Sequence, residues 1–257
     1  MKHLFEHNWE IIPAGGATGE AFFASNEREK LFLKRNSSPF LAVLSAEGIV
    51  PKLIWTKRME NGDVITAQEC LIGREFKPQD MTQSRVAKLL KKIHESRPLL
   101  TMLSRLGKTP YKPEMMLSDV DAVMDGDLLS RKIVQTSLQF LESEIANVQC
   151  KTWTVCHGDV NHNNWLLSDE GELYLIDWDE AAIADPAFDI GPLLHFYIPR
   201  PDWENWLEQY GIQMTDNLLL RMKWYVIAHT ILSAGRHKNK NRIQEMDSSM
   251  GYLEQFI

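Results

Sequence analysis

The hydrophobic positions of the first seventy residues fall into short runs that are rich in β-branched and aromatic side chains. Glycine, asparagine and proline separate five of these runs, which read EIIPA, AFFAS, LFLKR, KLIWTK and DVITAQE. This length and punctuation predict the strands of an antiparallel sheet. Between the third and fourth runs, SSPFLAVLSAEG begins with serine, continues with proline and ends with glycine, which predicts one short helix.

From about Asp80 the hydrophobic spacing becomes that of helices. Val86, Leu89, Leu90 and Ile93 stand at positions i, i+3, i+4 and i+7, which predicts a helix with one buried face. Similar spacing predicts helices at residues 128–148, 189–198, 203–209, 218–234 and 243–256. Three short strand-like runs interrupt them, WTVC, NWLL and LYLID, and the turn SDEGE joins the last two.

These patterns predict an α+β chain in two parts. We expect a β-rich part at residues 1–72, a mainly helical part at residues 73–257, and a connector near residues 69–73. A cleft between two unequal parts is the expected place for a ligand. Residues 99–111 lack clear core spacing after their first positions, so a lid and a long connector both remain open.

Composition narrows the class of protein. The chain has 257 residues, of which 44% are hydrophobic and 25% are charged, as in ordinary globular proteins. Its formal net charge is −7, and we interpret the one basic cluster, residues 236–242, as a solvated stretch. A nucleic-acid or membrane-surface protein is therefore not indicated. Three cysteines without a CxxC motif and the lack of a long apolar run predict a soluble, cytoplasmic protein with reduced thiols.

The polar stretch VCHGDVNHNNWLL raises the question of what chemistry it performs. His157, Asp159 and His162 could supply three zinc ligands, although a loop spacing of two and then three residues is not diagnostic of zinc. The two asparagines at positions 161 and 163 are better explained as turn formers that bond their own backbone.

A magnesium site is the stronger interpretation. Asn164 and Asp177 flank the two strands of the predicted hairpin, which would bring an amide oxygen and a carboxylate side by side. Both are suitable hard ligands for Mg²⁺, which completes its coordination with water and phosphate oxygens. Asp159 would then accept a proton from a substrate hydroxyl, as metal-assisted phosphoryl transfer requires.

This hypothesis predicts a nucleotide-binding site in the β-rich part. Gly15, Gly16 and Gly19 lie between two predicted strands, where backbone N–H groups could cover phosphates. The segment is neither a Walker loop nor a dinucleotide fingerprint, and an empty hairpin turn would explain it as well. Lys34, in the next strand but one, could reach α- and β-phosphates, although a lone edge-strand lysine is ordinarily a surface residue.

The motifs HGDVNHNN and LIDWD resemble those of the aminoglycoside phosphotransferase and choline kinase superfamily. That resemblance implies a bilobal protein-kinase-like fold that binds ATP with Mg²⁺ and transfers the γ-phosphoryl group to a small-molecule hydroxyl. It implies that Asp159 is catalytic and that Asn164 and Asp177 bind the metal. It places the nucleotide at Gly16, Thr18, Lys34, Gln68, Glu69 and Leu71.

The same resemblance assigns supporting roles. His157 and Asp189 would support the catalytic loop, with Asp189 as its brace, and Asp185 belongs to the same matched segment. His94 in LLKKIHE would be structural. Kinase-like folds usually pair the strand lysine with a helix glutamate, and the only such residue here is Glu47, so the partner of Lys34 stays open.

A narrower resemblance is to the YtmP/CcrZ branch of Gram-positive bacteria, carried by NSSPFL, TAQE, SRPL, LSRLG and YLIDWD together with the catalytic motif. It implies phosphorylation of ribose, deoxyribose or nucleosides, and cell-cycle control through a cell-division protein partner. His162, Trp178 and Asp179 could contact the acceptor, Trp178 by stacking and the other two by hydrogen bonds. Core packing of Trp178 and surface exposure of Asp179 would explain these two residues as well. A catalytically inactive scaffold, a choline or aminoglycoside kinase and a zinc hydrolase are the alternatives.

Overall fold

The computed structural model describes residues 9–15 and 20–256, and these form a mixed α+β fold of two compact units. The first unit comprises the described residues up to Phe76 together with Asn163–Asp177, and the second comprises Lys77–His162 and the described residues from Trp178 onwards. The proposed positions Gly16 and Thr18, with Gly19, lie outside the described residues.

The first unit contains a five-stranded antiparallel sheet in the order β1-β2-β3-β5-β4. Its apolar core is formed by alternate positions of the central strands, which point to one face. The five buried core residues are Ala24, Leu31, Leu33, Ile65 and Ala67. The predicted antiparallel sheet is therefore confirmed, with the strands β1 Glu10–Gly15, β2 Ala21–Ser25, β3 Lys30–Arg35, β4 Leu53–Arg58 and β5 Val64–Glu69.

The predicted short helix of this unit is α1, Phe40–Ala46. The Ser38 hydroxyl accepts the backbone N–H of Phe40 at 3.2 Å, so a serine satisfies a donor at the helix start. Gly48 ends the helix at a φ of +64°, a conformation that a residue without a Cβ adopts without strain. The buried Phe40 and Leu44 give the helix its apolar face.

A second, three-stranded sheet of the first unit has the order β6-β8-β9. Its strands are β6 Gly73–Glu75, β8 Trp165–Ser168 and β9 Leu173–Leu175, with Trp165 opposite Leu175. The β8–β9 hairpin was predicted, whereas β6 was not. Because β6 pairs with β8, this unit extends to Phe76 and includes residues 163–177, unlike the predicted division at residue 72.

The second unit is built around α9, a 24-residue helix at Asp216–Asn239. Thr215 caps it, because its hydroxyl accepts the Leu218 N–H at 3.2 Å. Gly191, in helix α7 at Ala187–Tyr197, lets α7 and α9 pack closely, since a Cβ there would lie 2.8 Å from the Met222 carbonyl oxygen. The other helices are α2 Ser84–Glu95, α3 Arg97–Arg105, α4 Pro113–Val123, α5 Gly126–Ser130, α6 Lys132–Glu144, α7 Ala187–Tyr197, α8 Trp203–Tyr210 and α10 Ile243–Leu253.

Residues 99–111, for which a lid and a connector were both open, are largely helical and anchored. Helix α3 begins at the Ser96 cap, whose hydroxyl accepts the Leu99 N–H at 3.3 Å. At the other end the Tyr111 N–H donates to the Ile183 carbonyl at 2.7 Å. Ile183 lies in β10, Ala182–Ala184, which pairs with β7, Thr154–Cys156. These contacts favour the connector.

The single helix predicted at residues 128–148 is wrong in its extent, because α5 and α6 are separate helices. Arg131, between them, has extended backbone with a ψ of 121°. The Asp125 carboxylate caps α5 by accepting the Leu128 N–H at 3.0 Å, and the Ser130 hydroxyl donates to the Asp127 carbonyl at 2.7 Å. These local side-chain bonds compete with a continuous helix.

Among the helices of the described residues, none combines the length and the apolar character needed to cross a lipid bilayer.

Candidate active site

The loop that carries Asp159 follows β7 in the second unit and is held by one buried carboxylate. Asp189, near the start of α7, is 1% exposed. Its Oδ2 accepts the His157 N–H at 2.7 Å and its Oδ1 accepts the Gly158 N–H at 2.9 Å. Two consecutive backbone groups are thereby fixed immediately before Asp159, and this supports the brace predicted for Asp189.

Asp189 is itself held from a second direction. The Nε2 of His94 lies 3.1 Å from Asp189 Oδ2, and the Nδ1 of His94 lies 2.6 Å from the Tyr210 hydroxyl. Burial alone would raise the pKa of Asp189, but its contacts with His94, His157 and the Gly158 N–H outweigh burial and hold the pKa below its usual range. The brace is therefore a carboxylate at neutral pH.

His157 and Gly158 shape the loop without lying at its tip. The fully buried His157 accepts the Asp159 N–H on Nδ1 at 3.2 Å, which ties the loop backbone to the ring. Trp178 packs edge-on against the His157 ring, with centroids 4.7 Å apart. Gly158 has a φ of +86°, and a Cβ there would lie 2.7 Å from the Glu180 carbonyl oxygen. Glycine is thus required by both conformation and space.

In the first unit, the β8–β9 hairpin brings the two predicted metal ligands to the same end. The Ile176 N–H donates to the Asn164 carbonyl at 2.8 Å, so the backbone of Asn164 lies opposite Ile176. Asp177 is the next residue, with a φ of +63°, in the left-handed region that non-glycine residues rarely adopt. Such a conformation at a polar residue points to a functional constraint.

Lys34 lies in β3 of the same unit, opposite Ala21 and Thr66. Its Nζ lies 3.6 Å from Asp177 Oδ1, and the two side chains are 29% and 56% exposed. The proposed phosphate-binding lysine and one proposed metal ligand are therefore neighbours. Glu47, the other candidate partner, is the C-cap residue that follows α1, and its N–H donates to the Val43 carbonyl at 2.9 Å.

In the predicted adenine-binding segment, Gln68 to Leu71, the first two residues hold the strand in place and Leu71 follows the strand. The buried Gln68 side chain donates to the Pro51 carbonyl at 2.9 Å, and the Glu69 N–H donates to the Lys52 carbonyl at 2.8 Å. Both contacts fix the strand rather than face a ligand. Leu71 follows β5 and lies outside the strands, and within the described part of the chain its backbone forms no hydrogen bond.

The second unit contains a cavity of about 1280 Å³. Asp159, His162 and Asp179 line it, as do Tyr197 and Tyr111. Trp178, for which stacking on an acceptor and core packing were both open, is not among the lining residues. Three of the predicted catalytic and acceptor-binding residues therefore share one cavity, and Trp178 packs on His157 instead.

The zinc hypothesis is not supported by the positions of its residues. Among the described residues, one group of three histidine, cysteine or acidic side chains has ligand atoms close enough to hold a metal, and it consists of His94, Cys156 and Asp189. His157, Asp159 and His162 do not form such a group. Since Asp189 already bonds His94 and two backbone N–H groups, the buried group is explained as a structural network.

Several residues of the cavity were missed by sequence reasoning. The Tyr197 hydroxyl accepts the His162 N–H at 3.2 Å and lies 3.1 Å from its Nδ1. Burial raises the pKa of Tyr197, so it remains a neutral phenol. Arg236, assigned above to a solvated stretch, pairs with Glu180 at 3.1 Å. These partners are 35 and 56 residues apart in the chain, and no local pattern announces them.

The fold of this chain is similar to that of several solved phosphotransferases. Choline kinase LicA from Streptococcus pneumoniae matches with a TM-score of 0.69 at 16% identity, over 97% of this chain and 95% of that chain. The GDP and kanamycin complex of APH(2")-IIia matches with a TM-score of 0.72 at 16% identity, over 96% and 92%. Spectinomycin phosphotransferase APH(9)-Ia, in complex with ADP and spectinomycin, matches with a TM-score of 0.62 at 18% identity, over 97% and 87%.

At these low identities the structural matches establish the protein-kinase-like fold, as predicted from the motifs. The family is established by sequence. The model of the phosphotransferase enzyme family, APH, matches residues 10–225, which is most of the chain. The protein therefore belongs to the APH phosphotransferase enzyme family.

Proposed function

We propose that the protein is an ATP- and Mg²⁺-dependent kinase that phosphorylates a hydroxyl group of a small molecule. The observation that carries this proposal is the position of Asp159. This residue lines a cavity of about 1280 Å³, and the backbone immediately before it is fixed by the buried Asp189. A general base held in a defined place beside a ligand cavity is what hydroxyl activation requires.

Asp159 accepts the acceptor's hydroxyl proton. The acceptor oxygen then forms a bond to the γ-phosphorus while the bond between that phosphorus and the oxygen of ADP breaks. Little covalent work falls to the protein, so positioning and charge neutralisation supply most of the acceleration. His162, held on Tyr197, and Asp179 line the same cavity and are placed to bond the acceptor's other hydroxyls.

Residues of the first unit suit the nucleotide and the metal. The amide of Asn164 and the carboxylate of Asp177 offer the hard oxygen donors that Mg²⁺ prefers, at one end of one hairpin. When bound, Mg·ATP supplies the phosphoryl group, and the metal neutralises charge on its oxygens. Lys34 adds an ammonium beside Asp177, and the Leu71 backbone offers a donor and an acceptor for adenine.

The acceptor itself is proposed from the narrower resemblance. The YtmP/CcrZ motifs favour ribose, 2-deoxyribose or a nucleoside, and a role in cell-cycle control through a division protein. The family and the fold are equally consistent with choline or an aminoglycoside as acceptor. A screen for the acceptor therefore includes all of these compounds.

The test is release of ADP from Mg·ATP by the purified protein over ribose, deoxyribose, nucleosides, choline and aminoglycosides. We expect one class to stimulate release at least about a hundredfold, and Asp159→Asn to abolish that stimulation, because general base catalysis contributes roughly 10²–10⁴. Asp169→Asn, an exposed carboxylate in the β8–β9 turn, is the matched control and should retain activity. A wild type that binds Mg·ATP but phosphorylates no hydroxyl compound would instead indicate a scaffold.

A further inference from the structure

The charged residues of the second-unit cavity differ in whether another residue already contacts them through an ion pair or a hydrogen bond. Of its carboxylates, Glu180 pairs with Arg236 at 3.1 Å, and Asp119 accepts the hydroxyl of Tyr111. Asp159 is assigned to proton transfer. Asp179 and Glu245 also line the cavity, so carboxylates and cations share its wall.

Three cations of the same cavity have no ion-pair partner among the described residues. Lys108, Lys240 and Arg242 line it and are exposed, and within residues 9–15 and 20–256 none of them forms an ion pair. Arg236, the fourth lysine or arginine of the lining, is the one that Glu180 neutralises. The uncommitted positive charge is concentrated in the basic cluster that the sequence alone suggested was merely solvated.

The backbone around Lys240 and Arg242 is well defined. These residues belong to the three-residue connection between α9 and α10. The Lys240 N–H donates to the His237 carbonyl at 3.1 Å, and the Arg242 N–H donates to the same carbonyl at 2.9 Å. Asn241, between them, has a φ of +55°. A short connection fixed in this way presents its two cations from a stable backbone.

Helix α10 continues the wall of the cavity with a polar face. Glu245, Ser248, Ser249 and Tyr252 stand at i, i+3, i+4 and i+7, and all four line the cavity. The opposite face is apolar and buried, through Met246, Met250 and Leu253. The match to the family model ends at residue 225, so this wall lies outside the matched residues.

The size of the cavity bears on the acceptor. Pockets for drug-sized ligands occupy roughly 300–1,000 Å³, and this one has about 1280 Å³. A bare pentose would leave most of it to water. An acceptor would contact more of the lining residues if its hydroxyl groups met Ser248 and Ser249 and a second, charged group met the connection between α9 and α10.

We propose that the acceptor is a polyhydroxyl compound bearing a phosphate monoester, which Lys108, Lys240 and Arg242 bind while Asp159 faces one of its free hydroxyls. A phosphate monoester carries close to two negative charges at neutral pH and several acceptor oxygens, so it suits three cations better than a single carboxylate does. This inference rests on the proposed kinase function and specifies its substrate class.

The kinetic test compares ribose 5-phosphate with ribose as acceptor. We expect the wild type to favour the phosphorylated sugar in kcat/KM by at least about tenfold, since hydrogen bonds to charged groups are among the stronger ones. The double variant Lys240→Gln/Arg242→Gln should lose that preference through KM, while kcat and the KM for ATP stay unchanged. Lys88→Gln, an exposed lysine on α2, is the control. A wild type without the preference, or a double variant that keeps it, would overturn the proposal.

A binding test separates this proposal from the kinase function. Ribose 5-phosphate is titrated into the nucleotide-free protein, and the melting temperature and the binding heat are measured. We expect saturable binding that inorganic phosphate competes with, that added salt weakens, and that the double variant loses. Such binding without any turnover would contradict the kinase function and leave the phosphate site standing. Turnover of neutral sugars without binding of ribose 5-phosphate would contradict the phosphate site and leave the kinase function standing.

Discussion

Two carboxylates of the predicted motifs are held in opposite ways. Asp189, in the second unit, is 1% exposed and contacts His94 and the N–H groups of His157 and Gly158. Asp177, in the first unit, has a side chain that is 56% exposed and pairs with Lys34 at 3.6 Å. One carboxylate belongs to a closed network, and the other belongs to a pair open to solvent.

Asp189 is suited to holding the structure of the loop, whereas Asp177 is suited to exchanging its partner. A buried charge that loses a partner is costly, so the Asp189 network keeps one arrangement. An exposed ion pair contributes little to stability, so Asp177 can exchange the ammonium of Lys34 for a metal ion at small cost. The geometry therefore suggests a rigid base loop beside Asp159 and an exchangeable charge site at Asp177.

The largest expected effect comes from removing the buried carboxylate. Asp189→Ala should lower the free energy of unfolding by roughly 3–5 kcal/mol, because it leaves buried polar groups without their partner. Asp247→Ala, which breaks a surface pair with Arg131, is the matched control and should cost less than about 1 kcal/mol. Urea denaturation of both variants measures the difference. Equal losses of unfolding free energy in the two variants would mean that the Asp189 network stabilises the fold no more than a surface ion pair does.

The buried histidines of the second unit extend the comparison to pH. Burial, which is the main cause, lowers the pKa of both His195 and His229 to about 4. In the unfolded chain they protonate near pH 6.5. Between pH 6.5 and 4 the unfolded state therefore binds more protons, and the free energy of unfolding decreases as the pH is lowered. We expect a loss of roughly 1.4 kcal/mol per pH unit for each histidine.

The corresponding measurement is the free energy of unfolding across that pH range for the wild type and His195→Gln. The variant should show a shallower slope between pH 6.5 and 4. Above pH 7.5, where both histidines are neutral in either state, the difference between the two proteins should be constant. Parallel slopes throughout the range would show that His195 titrates as it does in the unfolded chain.

The smallest expected effect is in the exposed pair. A double-mutant cycle of Lys34→Ala and Asp177→Ala should give a coupling free energy below about 1 kcal/mol in the absence of nucleotide. Thermal or urea unfolding of the wild type, the two single variants and the double variant provides it. A coupling as large as the effect of Asp189→Ala would contradict the view that Asp177 exchanges partners readily.

Local sequence signals predicted the elements well. The β8–β9 hairpin follows from two strand runs around a glycine-containing turn, and α2 buries Val86, Leu89, Leu90 and Ile93 as their spacing predicted. The α9 prediction was correct in kind but short, because the helix continues through polar residues to Asn239. Helix α4, which the sequence reading missed, has three buried residues, Pro113, Met116 and Val120, among polar neighbours.

Contacts between distant residues could not be predicted in the same way. The Asp189 brace was expected only because the motif resembles a known family, whereas its contact with His94 spans 95 residues. The pairing of Tyr197 with His162 and the basic lining of the cavity had no such guide. A run of cations in the sequence does not reveal which of them meet a carboxylate, and this is why Arg236 and Lys240 could not be distinguished.

The rise in melting temperature that ATP causes, measured with and without Mg²⁺, distinguishes a metal-binding Asp177 from an Asp159 that serves the acceptor. Asp159→Ala should keep the Mg²⁺-dependent part of this rise, whereas Asp177→Ala should lose it and keep only the part due to ATP alone. Loss of the Mg²⁺-dependent part in Asp159→Ala, or its full retention in Asp177→Ala, would show that these two roles are wrongly assigned.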